Sequence, residues 1–205
     1  MQQTIDQRLK IYSRVETSLN QMFKELSFCK DKCMPQERSF MGNSHKNGPI
    51  GCCHDNYYHL NIPSYKKINQ ETQDDIRARF RELQEENLIT KLMKPNSSVK
   101  DYLRYSYSSS TKCSCHSSEG CMIEKFKSPT CVSYTCVPLE RELEQYNINY
   151  DQLIFLDFIG DIFAGEVRSK QAQNLIQRIN QATQRIKDSK TNPNQEIQEQ
   201  IVIDN

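Results

Sequence analysis

The sequence predicts a mostly α-helical protein whose amphipathic helices flank and support an irregular, cysteine-rich module. Apolar residues recur at helical spacing in three well-separated stretches, and a fourth stretch is apolar almost throughout. Nine cysteines fall in two groups where that periodicity lapses. The hydrophobic fraction is 36% and Trp is absent, so Leu, Ile, Phe and Tyr must pack a compact core while much of the helical surface stays polar. A chain of 205 residues accommodates one domain or two, the second reading being a small domain with helical extensions.

Ile5, Leu9, Tyr12, Val15, Leu19, Met22, Phe23 and Leu26 define a first helix over residues 3–27, so that 1–28 forms an N-terminal helical segment. From Cys29 to Tyr65 the periodicity is lost. Gly42, Gly48, Pro49, Gly51 and Pro63 punctuate a loop-rich stretch that carries Cys29, Cys33, Cys52 and Cys53. A second helix over residues 69–93 buries Ile76, Phe80, Leu83, Ile89 and Leu92 and ends before Pro95. It is an insertion in the cysteine-rich module, which spans 29–137. Tyr102-Leu-Arg-Tyr-Ser-Tyr107 alternates as a short strand would, and Cys113 to Cys136 carries five cysteines.

Pro138 suits the first turn of a short helix to Tyr146, where its missing amide proton leaves no bond unmade. Asp151 is a candidate cap for the next helix, over 152–164, in which Leu153, Ile154, Phe155, Leu156, Phe158, Ile159, Ile162 and Phe163 predict central packing and Gly165 stands near the end. A last helix over 169–188 sets Leu175, Ile176, Ile179, Ala182 and Ile186 on one face. These helices form a C-terminal region, 138–190, and the Asn- and Gln-rich residues 191–205 are predicted to be a flexible tail.

Lys plus Arg number 27 against 26 for Asp plus Glu, and a net charge of +1 gives no overall field to draw a phosphate backbone, so nucleic acid is not a predicted partner. Residues Met1 to Lys10 contain no apolar run behind their charges and no small-residue cleavage site, which predicts no secretory signal. No stretch approaches the roughly 18 consecutive apolar residues of a membrane span. The expected location is therefore cytoplasmic. A reducing compartment disfavours structural disulfides and makes clustered thiols metal ligands or redox groups.

The two cysteine groups are Cys29-x3-Cys33 with Cys52-Cys53, and Cys113-x-Cys115-x5-Cys121-x9-Cys131-x4-Cys136. A thiolate is a soft anionic ligand suited to Zn²⁺ and to iron–sulfur clusters, and a metal can order loops that have too little apolar surface to pack. The bland alternative, small buried hydrophobes or incidental disulfides, explains the clustering less well. His54, His59 and His116 lie near cysteines and His45 further off; polar loop histidines are commoner than ligands. Asp55 and Glu119 are candidates for hydrogen-bonding such ligands, although exposed carboxylates are the ordinary reading. Many cysteines compete for the part of a Cys–His nucleophile, and Cys52-Cys53 lacks the Cys-x-x-Cys spacing of a redox pair. Tyr57, Tyr58, Tyr102, Tyr105 and Tyr107 are better read as packing residues than as base-stacking ones, and the last helices as a bundle before a partner-binding face.

Gly120-Cys121, Ile123, Pro129, Cys131 and Cys136, preceded by the early Cys52-Cys53-His-Asp-Asn-Tyr-Tyr-His-Leu-Asn-Ile-Pro-Ser-Tyr segment, resemble the YkgJ-type cysteine-cluster family of predicted zinc- or iron-chelating domains. The resemblance covers about residues 28–137. It implies a ligand set of Cys29, Cys33, Cys52, Cys53, Cys113, Cys121, Cys131 and Cys136, with Cys115 left over. Two departures accompany it: a long insertion separates Cys33 from Cys52, and Ser128 and Val132 stand where that family commonly has arginines. Flagellin lysine methylases have a similar cysteine arrangement, which associates it with an iron–sulfur centre. No Gly-rich nucleotide loop follows a strand here, and no methyltransferase activity is predicted.

The leading functional expectation is thus a metal-binding protein holding Zn²⁺, iron or an iron–sulfur cluster through those eight cysteines. Eight thiolates suffice for two four-coordinate sites or one polynuclear site. The alternative is an iron-dependent or iron–sulfur enzyme acting on a protein substrate, which would add a protein partner to the metal ion.

Overall fold

The computed structural model describes residues 3–28, 31, 68–92, 116–117, 120–121, 123, 125–133, 135, 137–192 and 200–203, with side chains placed for all of these except 88–92, 116–117, 120–121 and 130. Among them the order is α1 (Ile5–Leu26), α2 (Gln70–Leu92), β1 (His116–Ser117), β2 (Gly120–Cys121), α3 (Pro129–Ser133), α4 (Val137–Gln145), β3 (Ile148–Tyr150), α5 (Gln152–Ala164), α6 (Ser169–Thr191) and β4 (Ile201–Ile203). The described protein is mostly helical, and the five helices expected from periodicity and capping are present within a few residues of their expected ends.

Local chemistry sets those ends. Thr4 opens α1 with a capping box: its hydroxyl accepts the Gln7 amide at 3.3 Å, and the Gln7 side chain accepts the Thr4 amide at 2.9 Å. Asp151 caps α5 by accepting the amides of Leu153 and Ile154 at 2.8 and 3.0 Å, and Gly165 closes it in the left-handed conformation, φ 78°. The guanidinium of Arg8 packs against that glycine so closely that an added Cβ would lie 2.9 Å from its Nε.

The core is built on α1. Its buried face, which includes Leu9, Tyr12, Val15, Leu19 and Met22, packs along α6, whose Leu175, Ile179, Ala182 and Ile186 are buried in turn, and against α5. α1 and α6 run in the same direction: Gln3 donates to the Val167 carbonyl at one end (2.8 Å), and at the other the Lys190 ammonium reaches the last-turn carbonyls of Glu25 and Leu26. That ammonium serves carbonyls the helix cannot bond itself. α5 runs the opposite way, and Arg8 Nη1 meets the Phe163 carbonyl at 2.8 Å near its end. An aromatic cluster of Tyr12, Phe80, Phe126 and Phe163 joins α1, α2 and α5, with ring centroids 5.2–6.5 Å apart.

Two expectations need correction. The tail was expected to be flexible over 191–205, yet Ile201–Ile203 forms β4, parallel to β3 with Ile148 opposite Ile201, and Ile203 is fully buried. Three consecutive β-branched residues suit a strand, and their apolar surface outweighs the polar stretch that leads to them. Central packing of α5 holds for Phe155, Phe158, Ile159, Ile162 and Phe163, whereas Leu153 in its first turn is 72% exposed and Ile154 38%. Within the cysteine-rich stretch the structure adds a strand pair, β1–β2, and the short helix α3, neither of which has a periodicity long enough to read. The strand expected over 102–107 lies outside the described residues. No described helix is long and apolar enough to cross a membrane.

Candidate metal centre

The part of the cysteine-rich stretch with described side chains is centred on α3, Pro129–Ser133, and begins with Phe126-Lys-Ser-Pro. Pro129 at the first helical position needs no amide partner, and Ser128 Oγ accepts the Cys131 amide at 3.3 Å, so residue types alone start the helix. Ser128, Pro129, Val132 and Ser133 are buried; Cys131 is exposed, on the outward side of the helix.

Polar side chains of the core grip the chain on both sides of this helix. Ahead of it, all four backbone polar groups of Phe126 and Lys127 are taken by side chains. Glu16 of α1 accepts both amides at 2.7 Å, one on each carboxylate oxygen. Gln84 of α2 donates to the Phe126 carbonyl at 3.0 Å, and the Tyr12 hydroxyl donates to the Lys127 carbonyl at 2.5 Å. Lys127 Nζ donates to Asn20 Oδ1 at 2.7 Å, which places Tyr12, Glu16 and Asn20 at successive i+4 positions of one helical face. Phe126 has φ 58°, a left-handed backbone unusual for a side chain of this size, and its ring meets Phe80 edge-on at 5.7 Å. Behind α3, the Tyr150 hydroxyl donates to the Ser133 carbonyl at 3.0 Å, and Thr135 Oγ1 donates to Glu140 at 2.8 Å.

Burial governs the ionisation of these groups. Removal from water pushes the Glu16 carboxyl up to about 7, against the opposing pull of the Lys127 and Phe126 amides, the Lys127 charge and the Asn20 hydrogen bond. Tyr150 is raised well above its ordinary range, first by burial and then by the neighbouring Asp151 charge, which keeps its hydroxyl a donor.

Of the eight expected ligands, Cys131 has a described side chain and Cys121 a described backbone. Cys121 lies on β2 directly opposite His116 of β1 in an antiparallel pair. Cys29, Cys33, Cys52, Cys53, Cys113 and Cys136 lie outside the described residues, as do Cys115, His45, His54, His59, Asp55 and Glu119. Among the described residues no three His, Cys, Asp or Glu side chains are grouped so as to hold a metal ion. The gripping roles of Tyr12, Glu16, Asn20 and Gln84 are not read from the sequence, which marks only Tyr12, as part of the apolar stripe of α1. One signal was present: Glu16 is a carboxylate at i+4 from Tyr12 and three residues before Leu19, inside the apolar stripe. No protein-family model, curated protein or solved structure matches the chain.

Proposed function

We propose that this chain is a metal-binding protein that holds Zn²⁺, iron or an iron–sulfur cluster through Cys52, Cys53, Cys113, Cys121, Cys131 and Cys136, with Cys29 and Cys33 completing the set. The observation that carries the reading is the gathering of eight thiols into two groups in stretches without an apolar repeat. Such stretches have little hydrophobic surface to order them, and soft thiolate ligands supply an alternative source of order when they bind a thiophilic ion. Two features of the fold are compatible with it. Cys131 is exposed on a helix held by its neighbours on both sides, and the backbone of Cys121 pairs in register with that of His116. The resemblance to the YkgJ-type family supports the same ligand set, and a cytoplasmic, reducing location would keep the thiols available.

The bound ion would supply either redox-silent tetrahedral coordination or, for iron, electron-transfer and Lewis-acid chemistry. Purification without oxygen, followed by elemental analysis and a visible spectrum, tests the proposal. Stoichiometric zinc in a colourless protein supports a structural or metal-handling role. A coloured, oxygen-sensitive preparation containing iron favours an enzyme acting on a protein substrate. A protein that retains no metal and whose thiols stay unreactive overturns both.

A further inference from the structure

We infer that Glu16, acting with Tyr12 and Gln84, is the positioning residue of the cysteine site: it fixes the Phe126-Lys127 dipeptide and through it the helix that presents Cys131. The inference rests on the metal-binding reading. Its physical basis is the completeness of the clamp. Both amides and both carbonyls of the dipeptide are bonded by side chains from α1 and α2, so this stretch of backbone is held as firmly as a strand in a sheet although it belongs to none.

From the clamp to the thiol the chain has little freedom. Ser128, immediately after Lys127, is buried and provides both the Oγ that receives the Cys131 amide and the carbonyl that receives the Val132 amide at 3.1 Å. Pro129 fixes the next backbone angle. Cys131 is thus four residues from a carboxylate-gripped amide, and Val132 and Ser133 are sealed into the protein behind it. A ligand whose place is set before the ion arrives loses less conformational entropy on binding, which raises affinity without an added contact.

Glu16 does not touch the ion in this scheme, and its effect must pass through Cys131. That gives a sharp test, using the full-length protein loaded with Co²⁺ as a spectroscopic stand-in for zinc or iron. Glu16→Gln keeps the side-chain shape but turns an NH₂ toward one of the two amides, and Tyr12→Phe removes a single hydroxyl while keeping the ring in the core. We expect Glu16→Gln to weaken Co²⁺ binding about tenfold or more, Tyr12→Phe to weaken it less, and the thiolate-to-cobalt band of the fully loaded Glu16→Gln protein to lose intensity as Cys131→Ser does. In the Cys131→Ser background, Glu16→Gln should have no further effect on affinity.

A general loss of stability would lower occupancy but would leave both the loaded spectrum and the additivity of the two substitutions unchanged. Additive losses therefore overturn the inference, as do unchanged affinity and spectrum in both Glu16→Gln and Tyr12→Phe. A wild-type protein that takes up no Co²⁺ removes the metal-binding reading itself. In metal-free protein, faster hydrogen exchange of the Cys131 and Val132 amides in Glu16→Gln supports the clamp independently, and exchange equal to wild type overturns it.

Discussion

The helical core and the segment around α3 are stabilised by different physics. α1, α5 and α6 are held by apolar side chains removed from water, each fully buried Leu, Ile or Phe contributing roughly 1.5–3 kcal/mol, a non-directional term spread over many residues. The chain from Phe126 to Ser133 sets Phe126 and Val132 in that core, and its backbone is held in addition by individual side-chain bonds from Glu16, Gln84, Tyr12 and Tyr150. Each such bond adds only about 1 kcal/mol net, but removing one partner strands a buried polar group. The core thus tolerates gradual change in its surface and composition, whereas the α3 segment depends on particular atoms. A site that must place a reactive side chain needs the second kind of support.

The largest effect that would sharpen this contrast is expected where the two regions meet. Phe80 is fully buried against Tyr12, Phe126 and Phe163, and Phe80→Ala should cost about 3–5 kcal/mol in denaturant unfolding. A loss under 1 kcal/mol would mean that the aromatic cluster does not join them.

A pH series comes next. Glu16 holds its proton up to about pH 7 in the folded protein, against a reference value of 4.5, so between those values the folded state binds a proton that the unfolded chain has released. Its contribution to stability is full below about 4.5 and is lost as pH rises through about 7, because the folded protein must then carry a buried charge. The stability difference between wild type and Glu16→Gln should therefore shift against wild type over that window by an amount on the order of 3 kcal/mol. A difference that stays flat with pH would show that the clamp carboxylate titrates as an exposed one does.

Tyr150→Phe removes the donor to the Ser133 carbonyl and should cost about 1 kcal/mol, with hydrogen exchange rising around α3 and unchanged in α6. Equal effects in both places would erase the distinction between the regions. Leu153→Ser marks the lower limit: at 72% exposure the side chain supports neither region, and the change should stay within about 0.5 kcal/mol by thermal melt.

How much was legible follows the same division. Helices of a dozen residues or more repeat their apolar spacing several times, and caps such as Asp151 and the Gly165 stop are local chemistry. The five residues of α3 and the two-residue strands β1 and β2 complete too few periods to read, and β4 emerged only because Ile148–Tyr150, some fifty residues earlier, offers it an edge. Residue type and spacing show two groups of thiols, and the eight-cysteine ligand set is what the family resemblance implies; neither describes the thiols' positions in space.

The sequence by itself determined the helical class, the limits of the five longer helices to within a few residues and the two cysteine groups, because periodicity, capping and ligand chemistry all act over a few neighbouring residues. Only the tertiary structure decided that Glu16 is a buried clamp rather than one more charge on a polar helix. Its partners, the amides of Phe126 and Lys127, are 110 and 111 residues away, and nothing local distinguishes a carboxylate that water will solvate from one that will grip a distant backbone.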